Sequence, residues 1–145
     1  MKEIEHTRTS LTSDLAHLGV QSGMALIVHT SLRAIGRVKG GPDSVIRALE
    51  DAIGDQGMIV MPAMTLNLCD PSEEENLHPE DQWETVRSAM PLYDPNRSPT
   101  TSMGVVAETF RKRTGVLRSS HPHCSFAAGG RQAEQVVAHH ALDYA

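Results

Sequence analysis

The sequence predicts a layered α/β domain: a mixed sheet flanked by helices. Three observations predict it. Residues 24–29 and 58–61 are short apolar runs bounded by glycine, proline or a polar turn, and they read as strands. Between them, Val45, Ile46, Leu49 and Ile53 form an apolar stripe at helical spacing. A glycine-bearing loop joins the first strand to that helix, a strand–loop–helix–strand order that lays helices over a sheet. The length of 145 residues suits one hydrophobic core. With 39% hydrophobic and only 3% aromatic residues, that core must be built from Val, Leu, Ile, Ala and Met.

The elements follow in order. Leu11, Leu15 and Leu18 share one face of a first helix, with Thr7 or Thr9 to cap it and Gly19 to stop it. Residues 24–29 are expected to be a buried strand. Pro42 suits the first turn of the next helix and Gly54 ends it. Pro62 closes the second strand. Residues 63–102 hold Pro71, Pro79, Pro91, Pro95 and Pro99 and no sustained period, so they read as one long loop, of a length usually tied to function. Helical spacing resumes over 103–113 with Val106 and Phe110. A short segment over 115–118 leads into 119–128, and 130–144 reads as a last helix carrying Ala133, Val136, Val137 and Ala141.

Charge and cysteine usage exclude several roles. The net charge of −5 argues against nucleic acid as the main partner, because phosphate binding needs clustered Lys and Arg. It is compatible with a cationic ligand. No apolar run approaches a membrane span, and residues 1–10 lack the apolar stretch of a secretory signal. Two cysteines, Cys69 and Cys124, make no disulfide framework, so a reducing cytoplasm is the expected compartment.

Several motifs carry possible chemistry. After His29 come Gly36, Gly40 and Gly41 and then a helix start, where backbone N–H groups can approach a phosphate. An ordinary strand-to-helix turn has the same pattern, and a dinucleotide fingerprint is absent. His29-Thr30-Ser31 sets a base beside hydroxyls, but without a nucleophile elbow those hydroxyls are expected to cap a turn or touch a ligand. His121-Pro122-His123-Cys124 looks like a metal tract, yet nothing supplies a second ligand pair, so no metal is expected. Asp70, Glu73, Glu74, Glu75, Glu80, Asp81 and Glu84 form an acidic run with no Lys or Arg among them. It is either a solvated loop or a surface that gathers a polycation. Trp83, the only tryptophan, is either a platform for a sugar or cation, or the anchor of the loop.

An ordered set of blocks then stands out: residues 14–20 (DLAHLGV), 28–41 (VHTSLRAIGRVKGG), 60–65 (VMPAMT), 83–87 (WETVR), 90–95 (MPLYDP), 98–111 (SPTTSMGVVAETFR) and 118–129 (RSSHPHCSFAAG). In these the chain resembles the aminoglycoside 3-N-acetyltransferase family over nearly its whole length. Thr30 stands where a serine is usual, and Ala63 where a threonine is usual. Family members are near twice this length, so 1–145 is expected to be the N-terminal portion of a single domain, with the sheet incomplete and its edge open to self-association. The resemblance implies acetyl transfer from acetyl-CoA to the 3-amino group of a 2-deoxystreptamine antibiotic, with resistance as the consequence. The alternative is a catalytically silent, CoA-binding fragment. By resemblance, CoA lies along Thr30, Ser31, Leu32 and Arg33, then Gly36, Val38, Lys39, Gly40 and Gly41, with Ser102, Met103 and Gly104 opening a further helix for its pantetheine or phosphates. His121 is the catalytic candidate, against a histidine that only bonds the loop around Pro122. Asp70, Trp83 and Glu84 are the candidates for the antibiotic side.

Overall fold

The computed structural model describes residues 4–73 and 78–142. Glu74 and Glu75 of the acidic run, and Tyr144, lie outside them. Among the described residues the chain runs β1 (Glu5–His6), α1 (Arg8–His17), β2 (Ala25–Ile27), α2 (Leu32–Ile35), β3 (Arg37–Val38), α3 (Gly41–Ile53), β4 (Met58–Pro62), α4 (Trp83–Ala89), α5 (Gly104–Arg111), β5 (Val116–Arg118), β6 (Phe126–Gly130) and α6 (Ala133–Ala138). Two single 3-10 turns, Leu66–Leu68 and Glu80–Gln82, precede α4.

The main sheet is mixed, in the order β2-β4-β6-β5. β2 and β4 are parallel, while β6 runs antiparallel to both β4 and β5. β1 and β3 form a separate parallel pair. The parallel pair needs a crossover, and α2, β3 and α3 supply it.

Alternation along the strands divides the core in two. Ile59, Met61 and Ala127 face α3 and α5, packing with Val45, Ile46, Leu49, Ile53, Val106 and Phe110. Val60 and Ala128 face the other way, onto Ala133 and Val137 of α6. Helices therefore cover both faces, unequally. One cross-sheet row on the α6 side runs Ile27, Val60, Ala128, Leu117. α6 buries its middle, but Ile27 at one edge is 72% exposed and Leu117 at the other 42%. The buried strand expected over 24–29 is thus an edge strand in which Leu26, and Val28 just beyond β2, pack on the core while Ala25 and Ile27 face outward.

The helix starts obey local chemistry. Thr7 caps α1 in a reciprocal capping box with Ser10. Leu11 and Leu15 pack on the core, but Leu18 falls beyond the last turn and is 82% exposed. Pro42 occupies the first turn of α3, and Gly54 closes it. The stretch 63–102, expected to be one loop, contains the seven-residue α4 between Pro79 and Pro91. Residues 126–130, within the segments read as irregular and helical, form β6. The last helix is six residues long and not the fifteen of 130–144, beginning after the turn at Arg131 and Gln132.

Candidate active site

β2 and β4 point their carboxyl ends the same way, and ligands of open α/β sheets bind outside such ends. Four segments gather there. The ladder continues past β2 through Val28 N–H to the Val60 carbonyl at 2.8 Å, which places His29 and Thr30 beside the end of β4. Ala63 N–H then bonds the Ser125 carbonyl, and Thr65 N–H the His123 carbonyl, each at 2.8 Å. Thr101 N–H bonds the Met64 carbonyl at 2.9 Å. The loops after β2 and β4, the approach to α5 and the β5–β6 connection therefore share one end of the sheet.

The residues expected along CoA fall into two groups, and the structure brings parts of both together. Ser31 caps α2, its hydroxyl accepting from Ala34 N–H at 3.3 Å, which is one of the two roles expected of it. Leu32 and Val38 turn inward against the core, so they position the loop, while Arg33 and Lys39 are exposed. Gly36, Gly40 and Gly41 have φ of 96°, 87° and 60°. Gly40 is the N-cap of α3, and no side chain caps that helix, so its first N–H groups keep no side-chain acceptor. Ser102 has φ 62°, the one non-glycine residue with positive φ among those described, and Gly104 follows at 81°. A Cβ on Gly104 would sit 3.7 Å from the Thr30 carbonyl, so the start of α5 abuts the loop after β2. Met103 packs on the core.

Glu108 holds this approach in place. Its Oε2 accepts from Thr100 N–H, Thr100 Oγ1 and Arg111 Nε, each at 2.8 Å, and Oε1 accepts from Arg111 Nη2 at 2.6 Å. Lys112 Nζ adds a contact at 2.6 Å. Burial pushes the carboxyl up, but these donors outweigh it and hold it well below the usual carboxylate range. A depressed carboxyl stabilises the fold above its unfolded value of about 4.3, and that contribution is lost as pH falls through the folded value. Glu108→Gln is expected to cost about 2 kcal/mol at pH 7. The variant should also lose stability less steeply below about pH 4.3 than the parent, as read from urea midpoints.

Arg118 ties three of these segments together: the loop after β4, the approach to α5 and the β5–β6 connection. Its Nε donates to Ser125 Oγ at 3.0 Å and Nη2 to Thr65 Oγ1 at 2.8 Å. Nη2 also donates to the Ala63 carbonyl and Nη1 to the Ser98 carbonyl. The guanidinium lies 5.2 Å from the centre of the Tyr93 ring, and Tyr93 OH donates to the Ser119 carbonyl at 2.8 Å.

His121 sits in the β5–β6 connection and is buried, at 5% exposure. Its Nδ1 accepts from Cys124 N–H at 2.9 Å and His123 N–H at 3.2 Å. The His140 ring lies 4.8 Å away, centre to centre, and His140 Nδ1 is 2.9 Å from Ser119 Oγ. Burial first, then His140 and His123, push the His121 pKa below the ordinary histidine value. Burial also raises the Cys124 thiol. Among the described residues no three His, Cys, Asp or Glu side chains converge as a metal site would require.

Of the residues expected on the antibiotic side, two are engaged within the chain. Both Asp70 oxygens accept from Arg87 at 2.8 Å, and Oδ1 also accepts from Ser72. Arg87 and Ser72 hold the Asp70 carboxyl far below its usual range. Trp83 Nε1–H donates to the His78 carbonyl at 3.1 Å, and the cation facing its ring, at 5.8 Å, is the chain's own Arg87. Trp83 and Asp70 thus anchor the segment, while Glu84 remains exposed in the first turn of α4. Beside them Asn67, Cys69, His78, Val86 and Met90 line a cleft of about 420 Å³, within the size range of ligand pockets. Thr101 Oγ1 donates to Asn67 Oδ1 at 2.5 Å, which joins this cleft to the approach to α5.

Sequence reasoning did not assign site roles to Arg118, Glu108, Tyr93, Asn67 or His140. No local pattern marks their contacts across the site, which reach partners from 8 to 55 residues away.

The profile of the aminoglycoside 3-N-acetyltransferase family matches residues 27–145. YokD of Bacillus subtilis, an SPbeta prophage-derived aminoglycoside N(3')-acetyltransferase-like protein, is 43% identical over 140 residues, covering 95% of this chain and 52% of its own. Its crystal structure matches with a TM-score of 0.87 over 94% of this chain and 55% of that one. The structure of AAC-IIIb with CoASH matches at a TM-score of 0.79 and 36% identity, over 96% of this chain and 51% of that one. A histidine-to-alanine variant of the aminoglycoside acetyltransferase AAC(3)-IVa, in complex with a gentamicin, matches at 0.74 and 36% identity, over 94% and 45%. The chain spans about half the length of the relatives it matches. On these matches and this fold, the chain belongs to the aminoglycoside 3-N-acetyltransferase family.

Proposed function

We propose that the protein transfers an acetyl group from acetyl-CoA to the 3-amino group of a 2-deoxystreptamine aminoglycoside, and that this modification confers resistance. The observation that carries the reading is the approach of Thr30, after β2, to Gly104, at the same end of the sheet as the β5–β6 connection that bears His121. A relative solved with CoASH and another solved with a gentamicin support the two substrates. The uncapped, glycine-led start of α3 suits the donor's phosphates, and Lys39 stands exposed beside it. Ser102–Gly104 would receive the donor's pantetheine arm or its phosphates. Glu84, the net charge of −5 and the cleft behind α4 suit a polycationic acceptor; Asp70 and Trp83 shape that side through Arg87. Catalysis then consists of holding a neutral amine and the thioester in near-attack geometry and stabilising the oxyanion.

The place of action is the cytoplasm, where acetyl-CoA is made and used; among the described residues no helix is long and apolar enough to cross a membrane. The exposed edge at β2, with Ile27 uncovered, suits association with a second chain. The test is release of CoA thiol from acetyl-CoA in the presence of kanamycin- or gentamicin-type acceptors, followed with a thiol reagent. Release that depends on the acceptor is expected. Rates equal to those without protein would sink the reading.

A further inference from the structure

The His121 ring is held by its Nδ1 edge. Two backbone N–H groups, from His123 and Cys124, donate to that nitrogen at 3.2 and 2.9 Å. A ring nitrogen that accepts hydrogen bonds carries no proton, so in the neutral ring the proton sits on Nε2. The ring cannot turn over cheaply. Both donors belong to the same tight turn, which Thr65 N–H pins through the His123 carbonyl. Nε2 is itself buried and makes no hydrogen bond of normal geometry among the described residues, although the Leu142 backbone lies close enough to favour the protonated ring. A buried, unpaired N–H costs about 1–3 kcal/mol, and this one is kept at the carboxyl end of the sheet beside the segments that would hold acetyl-CoA. An Nε2 that already carries a proton has no lone pair with which to deprotonate an amine.

We propose that His121 acts as a hydrogen-bond donor, from Nε2 to the carbonyl oxygen of the acyl thioester, and not as the base for the amine. This rests on the acetyl-transfer reading above. The lone pair of the neutral amine forms the C–N bond, and the C=O π pair moves onto oxygen. There the Nε2–H meets the developing charge without giving up its proton. Collapse re-forms the C=O bond and breaks the C–S bond, and CoA departs as thiolate. The proton shed by the acylated nitrogen passes through water to that thiolate, so His121 begins and ends neutral. The incoming carbonyl displaces the segment from His140 to Leu142, whose last residue is 68% exposed.

Long-range 1H–15N correlation spectra of the labelled protein read the tautomer directly, with His121→Gln identifying the signal. A bare Nδ1 and a protonated Nε2 are expected. The reverse pattern overturns the proposal whether or not the protein transfers acetyl groups, so this arm fails separately from the functional reading. In acetyl transfer, His121→Gln places a carboxamide N–H where Nε2 stands and should keep kcat within about 10-fold of the parent. His121→Ala should lose about 10²–10³-fold, with KM for acetyl-CoA unchanged in both. Equal losses in the two variants, with the Gln variant folded by its spectrum, also overturn it.

Discussion

Arg118→Ala should be the most damaging single substitution at the site. It removes four donated hydrogen bonds at once, to Ala63, Thr65, Ser98 and Ser125, together with the contact over Tyr93. All four acceptors are neutral, and burial pushes the guanidinium pKa down, although arginine stays charged. The side chain is therefore held by its planar fork of donors and not by an ion pair. Bonds to a charged donor are worth about 1.5–3 kcal/mol each, but the variant also relieves a half-buried charge. The expected net loss is about 3 kcal/mol in urea unfolding. Amide exchange should rise in residues 63–67 and 93–101, which the fork joins, ahead of exchange in α3. Acetyl transfer should fall with it. Arg118→Lys keeps the charge and loses the fork, so it should recover less than half of the stability. A variant as stable as the parent, with unchanged exchange in both segments, would show that the fork is not what joins them.

The second large effect is expected at the far end of the sheet. Gly130 pairs with Met58 at the end of β6 and has φ 116°. A Cβ there would stand 2.4 Å from the Gly57 carbonyl oxygen and 2.8 Å from the Met58 Cα. Both are backbone atoms of the neighbouring strand and its approach, so no side chain can rotate away. Gly130→Ala is expected to cost more than about 3 kcal/mol, from the strained backbone and the displaced ladder together. Gly115→Ala separates the two causes. Gly115 has φ 83° but open space around its Cβ, so that change should cost only about 1–2 kcal/mol. Comparable midpoints for the two variants would mean that strain alone, and not the approach of β4, sets the Gly130 effect.

The elements differ in how plainly the sequence announces them. α3 is legible in full: Val45, Ile46, Leu49 and Ile53 repeat at helical spacing and are buried, Pro42 opens the helix and Gly54 ends it. β4 is legible because an apolar run between Gly57 and Pro62 has few other uses. β6 is not. Phe126-Ala127-Ala128-Gly129-Gly130 has weak strand propensity. It is a strand because β4 and β5 pair with both its edges, and its small side chains admit Phe110 on one face and α6 on the other. α4 is hidden by Pro79 and Pro91, which bound a helix too short to show a period. The site divides the same way. The glycines after β2 and the start of α5 could be found from spacing and from the family blocks. The engagement of Asp70 and Trp83 by Arg87 could not, since a sequence shows which charges exist and not which are already paired.

The sequence by itself determined the α/β class, the acidic balance, two principal strands and the helix between them, and the family. Periodicity, punctuation by glycine and proline, and ordered motifs are local properties that can be read along a chain. Only the tertiary structure decided that Thr30 meets Gly104, that Glu108 and Arg118 hold the loops of the site, and that His121 turns its Nδ1 toward two backbone amides. Most of these are contacts across sequence. Even the His121 turn, local in its hydrogen bonds, is fixed by its burial and by Thr65. Their energies come from desolvation and from donors and acceptors brought together by folding, and no sequence spacing records them.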